Sequence, residues 1–329
     1  MTRIGIISAY PDEDWDARQI AQAAAQLGDV QLLAPTDFGA VMEEGRTLIT
    51  VRGEDARAYD LLLTPRALGD AGDAEFQFEL YYALAESGAV LVNDVRALIT
   101  AIDKFKSSWL FVRAGLPTPR VVVAQRLEEA CQALAEMRCA VVKPLYGSLG
   151  IGVERITVDD AGRLGELLER HRALYLQRYV ENSRYDVRAF VVGDRVEAAI
   201  ARRAQPGEFR ANIHQGAAFE EHELDEECCE LAVRATRATG LDYSGVDLLI
   251  TDEGPCVLEV NGTPSFRAVN QATGRDMAMA IVQHAVARAE GGAASGTPRW
   301  GSRRQARRRD YARPLRARVL RGKENTNGE

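Results

Sequence analysis

The sequence predicts an α/β lobe followed by two α+β lobes. Three observations lead there. Up to about residue 97, short apolar runs alternate with segments of helical periodicity, the rhythm of a small parallel layer. From 98 to about 175, helices and strands mix. From 176 to about 290, strands crowd together across tight turns, as in a mostly antiparallel sheet. A chain of 329 residues, 46% hydrophobic and 27% charged, has room for two or three domains with a real core. That excludes a disordered chain, a collagen-like repeat and a disulfide-stapled miniprotein.

Each element has its own signal. Residues 4–8 read as a strand. Asp14 offers a cap for a helix on which Ala17, Ile20, Ala21, Ala24 and Leu27 recur at helical spacing. Residues 60–64 read as a buried strand, 74–87 as a helix and 90–92 as a strand. A helix over 97–114 turns Ile102, Phe105, Trp109 and Val112 inward. It stops at Gly115-Leu116-Pro117-Thr118-Pro119, where glycine and two prolines forbid continuation. Strand 120–124, helix 127–137 and strand 140–143 follow. Strands 174–180, 186–192 and 195–202 come next, the last two joined at Gly193-Asp194. A helix over 225–239, strands 245–250 and 256–260, and a helix over 276–289 complete the ordered part.

From Gly291 onward, eleven basic residues stand against three acidic ones. That makes the tail +8 and leaves −15 on the rest of a chain whose net charge is −7. The composition predicts a disordered tail, 291–329, which is either a polyanion-binding arm or a solvated extension. Five cysteines, without a C-x-x-C pair, read as reduced thiols of a cytoplasmic protein. No apolar run reaches membrane-spanning length and no secretory signal opens the chain. No Gly-x-Ser-x-Gly elbow supports hydrolase chemistry.

Three clusters carry chemistry. Tyr146-Gly147-Ser148-Leu149-Gly150-Ile151-Gly152, between two strands, is either a flexible hairpin over phosphates or an ordinary turn. Lys143 ends the strand before it and is either a phosphate ligand or a surface lysine. Asp247 lies on one strand, with Glu259 and Asn261 two apart on the next. They offer hard oxygen ligands for Mg²⁺, or else a polar exposed face. Arg188, Arg202, Arg203 and Arg210, with Asn212, offer an anion clamp, or else solvated arginines. Adjacent strand residues point to opposite faces, so only one of Arg202 and Arg203 can enter a cleft.

The order of these parts resembles the ATP-grasp superfamily. They are Asp103-Lys104, Val141-Val142-Lys143-Pro144 with its glycine loop, Leu176-Gln177-Arg178-Tyr179-Val180, Asp186-Val187-Arg188, and Asp247 with Glu259-x-Asn261. The run from Asp186 to Asn261 looks like the RimK-type glutamate ligases. The resemblance spans about 3–290 and implies an N-terminal pre-ATP-grasp lobe with two lobes clamping ATP. By that resemblance Lys104 and Lys143 hold the phosphates, and Gly147, Ser148, Gly150 and Gly152 close over them. Gln177, Arg178, Tyr179 and Val180 form the hinge and read adenine through backbone groups. Asp186 reaches the ribose, with Glu181 as a rival. Arg210 and Asn212 meet the phosphates or acyl phosphate. Asp247, Glu259 and Asn261 bind two Mg²⁺ or Mn²⁺ ions. Arg203 is the arginine that clamps the anion.

The resemblance also implies the reaction. A carboxylate takes the γ-phosphoryl group of ATP and an amine, that of L-glutamate or another amino acid, displaces phosphate. Arg178 stands where the family has an acid, which removes any role for that side chain. Phe266-Arg267 after the metal strand looks closer to relatives that glutamylate one-carbon carriers such as tetrahydromethanopterin than to those that modify a ribosomal protein C-terminus. A peptide acceptor is the neighbouring alternative. A rival reading is a polyanion-binding protein whose ATP site regulates the arm at 297–323. Homo-oligomer formation and a nucleic-acid contact through the tail stay open. A dead ATP-binding module is disfavoured by Lys143, Asp247, Glu259 and Asn261.

Overall fold

The computed structural model describes residues 1–43, 45–69, 71–146, 152–181, 185–203 and 218–294. Strand β1 (Thr2–Ser8) has no polar residue from Ile4 to Ile7, so both of its faces can be buried and it sits inside a parallel sheet. Helix α1 (Trp15–Ala24) starts at Asp14, whose carboxylate accepts from the Ala17 N–H at 3.2 Å. β2 (Gly28–Leu33) pairs with one edge of β1. An antiparallel sheet of β3 (Phe38–Glu43), β4 (Arg46–Val51) and β5 (Glu54–Asp55) follows, in a stretch to which the sequence reading assigns no element. β6 (Leu61–Arg66), α2 (Ala74–Glu86) and β7 (Leu91–Val92) complete the parallel order β2-β1-β6-β7.

The single helix expected over 97–114 is two helices, α3 (Val95–Ile102) and α4 (Lys104–Arg113). Asp103 is extended (φ −82°, ψ 102°) and caps α4 by accepting the Lys106 N–H at 3.0 Å. The expected inward face is also corrected. Ile102, Phe105, Trp109 and Val112 face solvent, while Ser107, Ser108 and Phe111 are buried. Phe111 lies in one core with residues of the last lobe, so α3 and α4 belong to that lobe and not to the central one.

The central sheet has the order β10-β9-β11-β8 and is antiparallel. It is built from β8 (Val121–Ala124), α5 (Leu127–Met137), β9 (Cys139–Lys143), β10 (Glu154–Thr157), α6 (Arg163–His171) and β11 (Leu174–Arg178). Its core of Ala130, Leu134, Val142, Ile156, Leu167 and Leu176 is its own. The boundary expected at 175 falls inside β11.

The last lobe holds β12 (Tyr185–Val192), β13 (Arg195–Arg203), β14 (Ala218–Glu221), α7 (Glu226–Thr239), β15 (Tyr243–Thr251), β16 (Gly254–Asn261), α8 (Arg267–Thr273) and α9 (Met277–Ala294). Helix α9 runs through Gly291, where a disordered tail was expected to begin; residues from 295 lie outside the described ones. The antiparallel order is β14-β13-β12-β15-β16. Ala189, Val191, Val246 and Leu248 pack with Leu231 and Ala232 of α7. Phe190, Val192 and Ile200 pack instead with Ile4, Ile6 and Ile20 of the first lobe and Ile281 of α9. First and last lobes thus share a core. No helix among the described residues is long and apolar enough to cross a membrane.

Candidate active site

Strand register brings the charged residues together. Asp186 lies opposite Arg202, Arg188 opposite Asp247, Asp247 opposite Glu259, and Gly245 opposite Asn261. Directly opposed residues share a face, and so do residues two apart on a strand. Asp186, Arg188, Arg202, Asp247, Glu259 and Asn261 therefore line one face, the same one that carries Phe190 and Ile200 toward the first lobe.

The buried centre of this face is Asp247. Its Oδ1 accepts from Arg188 Nε at 2.7 Å, and its Oδ2 from Arg188 Nη2 at 2.8 Å. Arg202 Nη2 lies 2.9 Å from the same Oδ2, and Arg202 Nε donates to Asp186 Oδ1 at 2.6 Å. Arg202 is only 2% exposed. Two guanidiniums against two carboxylates balance the charge, which a buried set needs. Burial pushes the Asp247 carboxyl up, but Arg188 and Arg202 outweigh it and hold the group well below the usual carboxylate range. Burial pushes Asp186 up to about 6 against the pull of Arg202. Asp186, expected at the ribose, thus has one oxygen engaged by Arg202 within the chain.

The choice of Arg203 is corrected. It lies opposite Tyr185 on the other face, where it pairs with Glu220 at 2.8 Å and stacks on the Tyr185 ring. Arg202 is the member that enters the cluster.

The oxygen donors fit a divalent cation. No three His, Cys, Asp or Glu side chains among the described residues gather as a metal cluster. The set is instead two carboxylates and an amide, few enough to leave positions for phosphate and water, as Mg²⁺ prefers. Asp247 Oδ1 accepts one hydrogen bond and keeps a lone pair for a metal. Glu259 and Asn261 are half-buried, open to a ligand.

The lysines approach from the central lobe. Lys143, opposite Tyr175, donates from Nζ to Gln177 Oε1 at 2.8 Å. Gln177 Nε2 lies 3.5 Å from the Tyr175 hydroxyl, which is 2.8 Å from Ser108 Oγ. This chain of contacts runs from α4 to Lys143. Burial pushes the Tyr175 phenol up to about 12, so it stays protonated. Lys104 opens α4, and its N–H donates to the Leu145 carbonyl at 3.2 Å. Burial pushes its ammonium down, with Glu259 pulling the other way and Lys143 adding to the fall. Tyr175 and Ser108 were missed as site residues. No local signal marks them, since a buried serine in a helix and a buried tyrosine in an apolar strand look like ordinary core residues.

The hinge departs from expectation. Gln177 is buried and turns its amide to Lys143. The Arg178 and Tyr179 N–H groups donate to Arg120 and Cys139 carbonyls at 2.8 and 3.0 Å, so these two donors are used within the chain. Val180 makes no such backbone bond among the described residues. Gly147, Ser148, Gly150, Arg210 and Asn212 lie outside the described residues. Gly152 closes the loop at φ +72°, where a Cβ would stand 3.0 Å from Pro144 Cγ. Phe266 is core, its ring tilted against Trp15 with centroids 5.5 Å apart, and Arg267 alone of that pair is exposed, over the Trp15 ring.

Comparison with known proteins places the chain in a family. The model of the RimK-like ATP-grasp domain matches residues 101–285, which hold every candidate site residue. The chain is 31% identical to the tetrahydromethanopterin:alpha-L-glutamate ligase of Methanosarcina acetivorans, across 86% of this chain and 98% of that protein. It is 32% identical to a probable alpha-L-glutamate ligase of Shewanella amazonensis, across 85% and 94%. Among solved structures, the ATP-grasp ligase PsnB complexed with a minimal precursor superposes with a TM-score of 0.71 at 20% identity, over 87% of this chain and 99% of that one. A RimK-domain ATP-grasp protein from Sphaerobacter thermophilus gives 0.66 at 21%, over 87% and 100%. The fold is that of the ATP-grasp ligases, and the chain belongs to the RimK-like ATP-grasp family.

Proposed function

We propose that this ATP-grasp ligase joins L-glutamate to the carboxylate of a small one-carbon-carrier coenzyme of the tetrahydromethanopterin class. The observation that carries the ligase chemistry is the shared face of Asp247, Glu259 and Asn261, with Lys104 near Glu259 and Lys143. The Methanosarcina relative, a tetrahydromethanopterin:alpha-L-glutamate ligase aligned over nearly its whole length, supports the acceptor class.

In this reading Lys104 and Lys143 hold the ATP phosphates, and the Val180 backbone with Glu181 meets the nucleoside. Asp247, Glu259 and Asn261 hold Mg²⁺, which neutralises phosphate charge when bound. An acceptor carboxylate oxygen attacks the γ-phosphorus and ADP leaves. Arg202, fixed by Asp186 and Asp247, stabilises the negative charge of the acyl phosphate. The glutamate amine then attacks the acyl carbon; an amide forms, phosphate leaves and the amine loses a proton. No enzyme nucleophile is required, and positioning does most of the work. Acceptor recognition falls to the open rim beside this face. Arg267 over Trp15 and Arg66 over Tyr10 present two exposed guanidiniums there.

The test is an ADP-release screen with Mg²⁺, L-glutamate and a panel of carboxylates, covering pterin coenzymes, peptides and amino acids, with products identified by mass. Glutamylation of a pterin coenzyme is expected. Turnover confined to peptides would move the acceptor class. No turnover with glutamate and any acceptor would overturn the glutamate assignment.

A further inference from the structure

Asn93 follows β7 in the first lobe and is completely buried. A buried amide has to find partners for every donor and acceptor. Asn93 finds all four in the last lobe. Its Oδ1 accepts from the Asp242 and Tyr243 N–H groups at 2.6 and 3.1 Å. Its Nδ2 donates to the Tyr243 and Gly262 carbonyls at 2.9 and 2.8 Å.

Those partners have a common location. Tyr243 opens β15 and Gly262 directly follows Asn261 at the end of β16. Gly245 lies opposite Asn261, so one side chain ties the two strands together at the end of the ladder where Asn261 stands. Gly262 is closely packed, with no free space for a side chain. A Cβ there would lie 2.9 Å from both Leu98 Cδ2 and Leu241 Cδ2. The clamp is itself held, because Thr64 Oγ1 donates to the Asn93 carbonyl at 2.6 Å.

We infer that Asn93 is a positioning residue for the metal site, reaching from the first lobe to fix the Gly262 carbonyl and so keep the Asn261 amide on the face of Asp247 and Glu259. This rests on the proposed metal role of those three residues. Aspartate at 93 keeps the shape but presents an oxygen to two carbonyls. The expected result is a loosened end of β16 in a folded protein.

The experiment titrates Mn²⁺ into the full-length protein with ADP and reads free Mn²⁺ by electron paramagnetic resonance. Asn93→Asp is expected to weaken Mn²⁺ binding by about tenfold to a hundredfold, as loss of an orienting partner does. The Mg²⁺ concentration for half-maximal turnover rises with it, while kcat at saturating Mg²⁺ is largely recovered. Leu80→Ala, a core truncation in the first lobe that removes none of the Asn93 hydrogen bonds, leaves Mn²⁺ binding unchanged. Gly262→Ala displaces the same carbonyl from the other side, is expected to weaken Mn²⁺ similarly, and serves where Asn93→Asp does not fold. Wild-type Mn²⁺ affinity in whichever of the two variants folds, alongside its loss in Glu259→Gln, overturns the inference. Equal weakening in Leu80→Ala also overturns it. Wild-type affinity in Glu259→Gln overturns the metal assignment instead.

Discussion

Arg202 and Arg203 are neighbours in sequence and opposites in environment. One is buried between Asp186 and Asp247; the other is half exposed, against Glu220. Strand alternation showed that only one could enter the cleft. Which one depends on pairing with β12, and that register is invisible without the partner strand. Lysine keeps the charge and loses the fork of donors. Arg202→Lys is therefore expected to lower kcat/KM about a hundredfold, the scale of losing a preorganised donor at developing charge. Arg203→Lys should cost less than about threefold, as for an exposed pair. Melting temperatures alongside the kinetics check that both variants fold, and equal losses would mean that neither arginine clamps the anion. Lys104 gives a pH prediction. Burial lowers its value below the ordinary 10.5, so the charged form that holds phosphate exists only below that lowered value. The kcat/KM for ATP should fall as pH rises, with a midpoint below 10.5, and Lys104→Arg should remove that limb. An unchanged limb in the arginine variant would assign it to another group. Tyr175→Phe removes the hydroxyl between Ser108 and Gln177, and should raise the KM for ATP about fivefold, the worth of one buried hydrogen bond.

At the scale of elements, most strands and helices were legible, because alternation and caps such as Asp14 and Asp225 are local signals. The segment over 97–114 shows the limit. Ile102, Phe105, Trp109 and Val112 do form an apolar stripe at helical spacing, but periodicity cannot say what covers a stripe. The break at Asp103 and the seat of Phe111 against the last lobe turn the other face inward. Trp109→Gln should leave the melting temperature within the range of a surface change. Phe111→Ala should cost about 3–5 kcal/mol, the usual loss for a buried phenylalanine. The reverse ranking in thermal unfolding would restore the sequence-based phase. The hinge shows the same limit. Its motif was visible, but the use of the Arg178 and Tyr179 N–H groups inside the central sheet depends on strand partners far away in sequence.

For the whole molecule, the family architecture was legible from motif order alone. The sharing of one core by the first and last lobes was not, since it joins Ile4 and Ile20 to Phe190 and Ile281 across most of the chain. The proposed site was half legible: Asp247, Glu259, Asn261 and Lys143 are readable from residue type and spacing and Lys104 from the family resemblance, whereas Asn93, Ser108 and Tyr175 look like ordinary core and helix residues. The family match ends at 285 and α9 closes the last lobe, so a chain ending at Ala294 should keep kcat/KM on the identified acceptor within about twofold. Loss of all ligase activity with ATP binding intact would place the basic tail in the active site. The central claim is amide formation through an acyl phosphate. The most direct measurement labels the carboxylate of the identified acceptor with heavy oxygen and follows it during turnover with ATP, Mg²⁺ and L-glutamate. One labelled oxygen in inorganic phosphate for each amide formed is the predicted result. Label appearing in AMP, or phosphate released without any label, would contradict it.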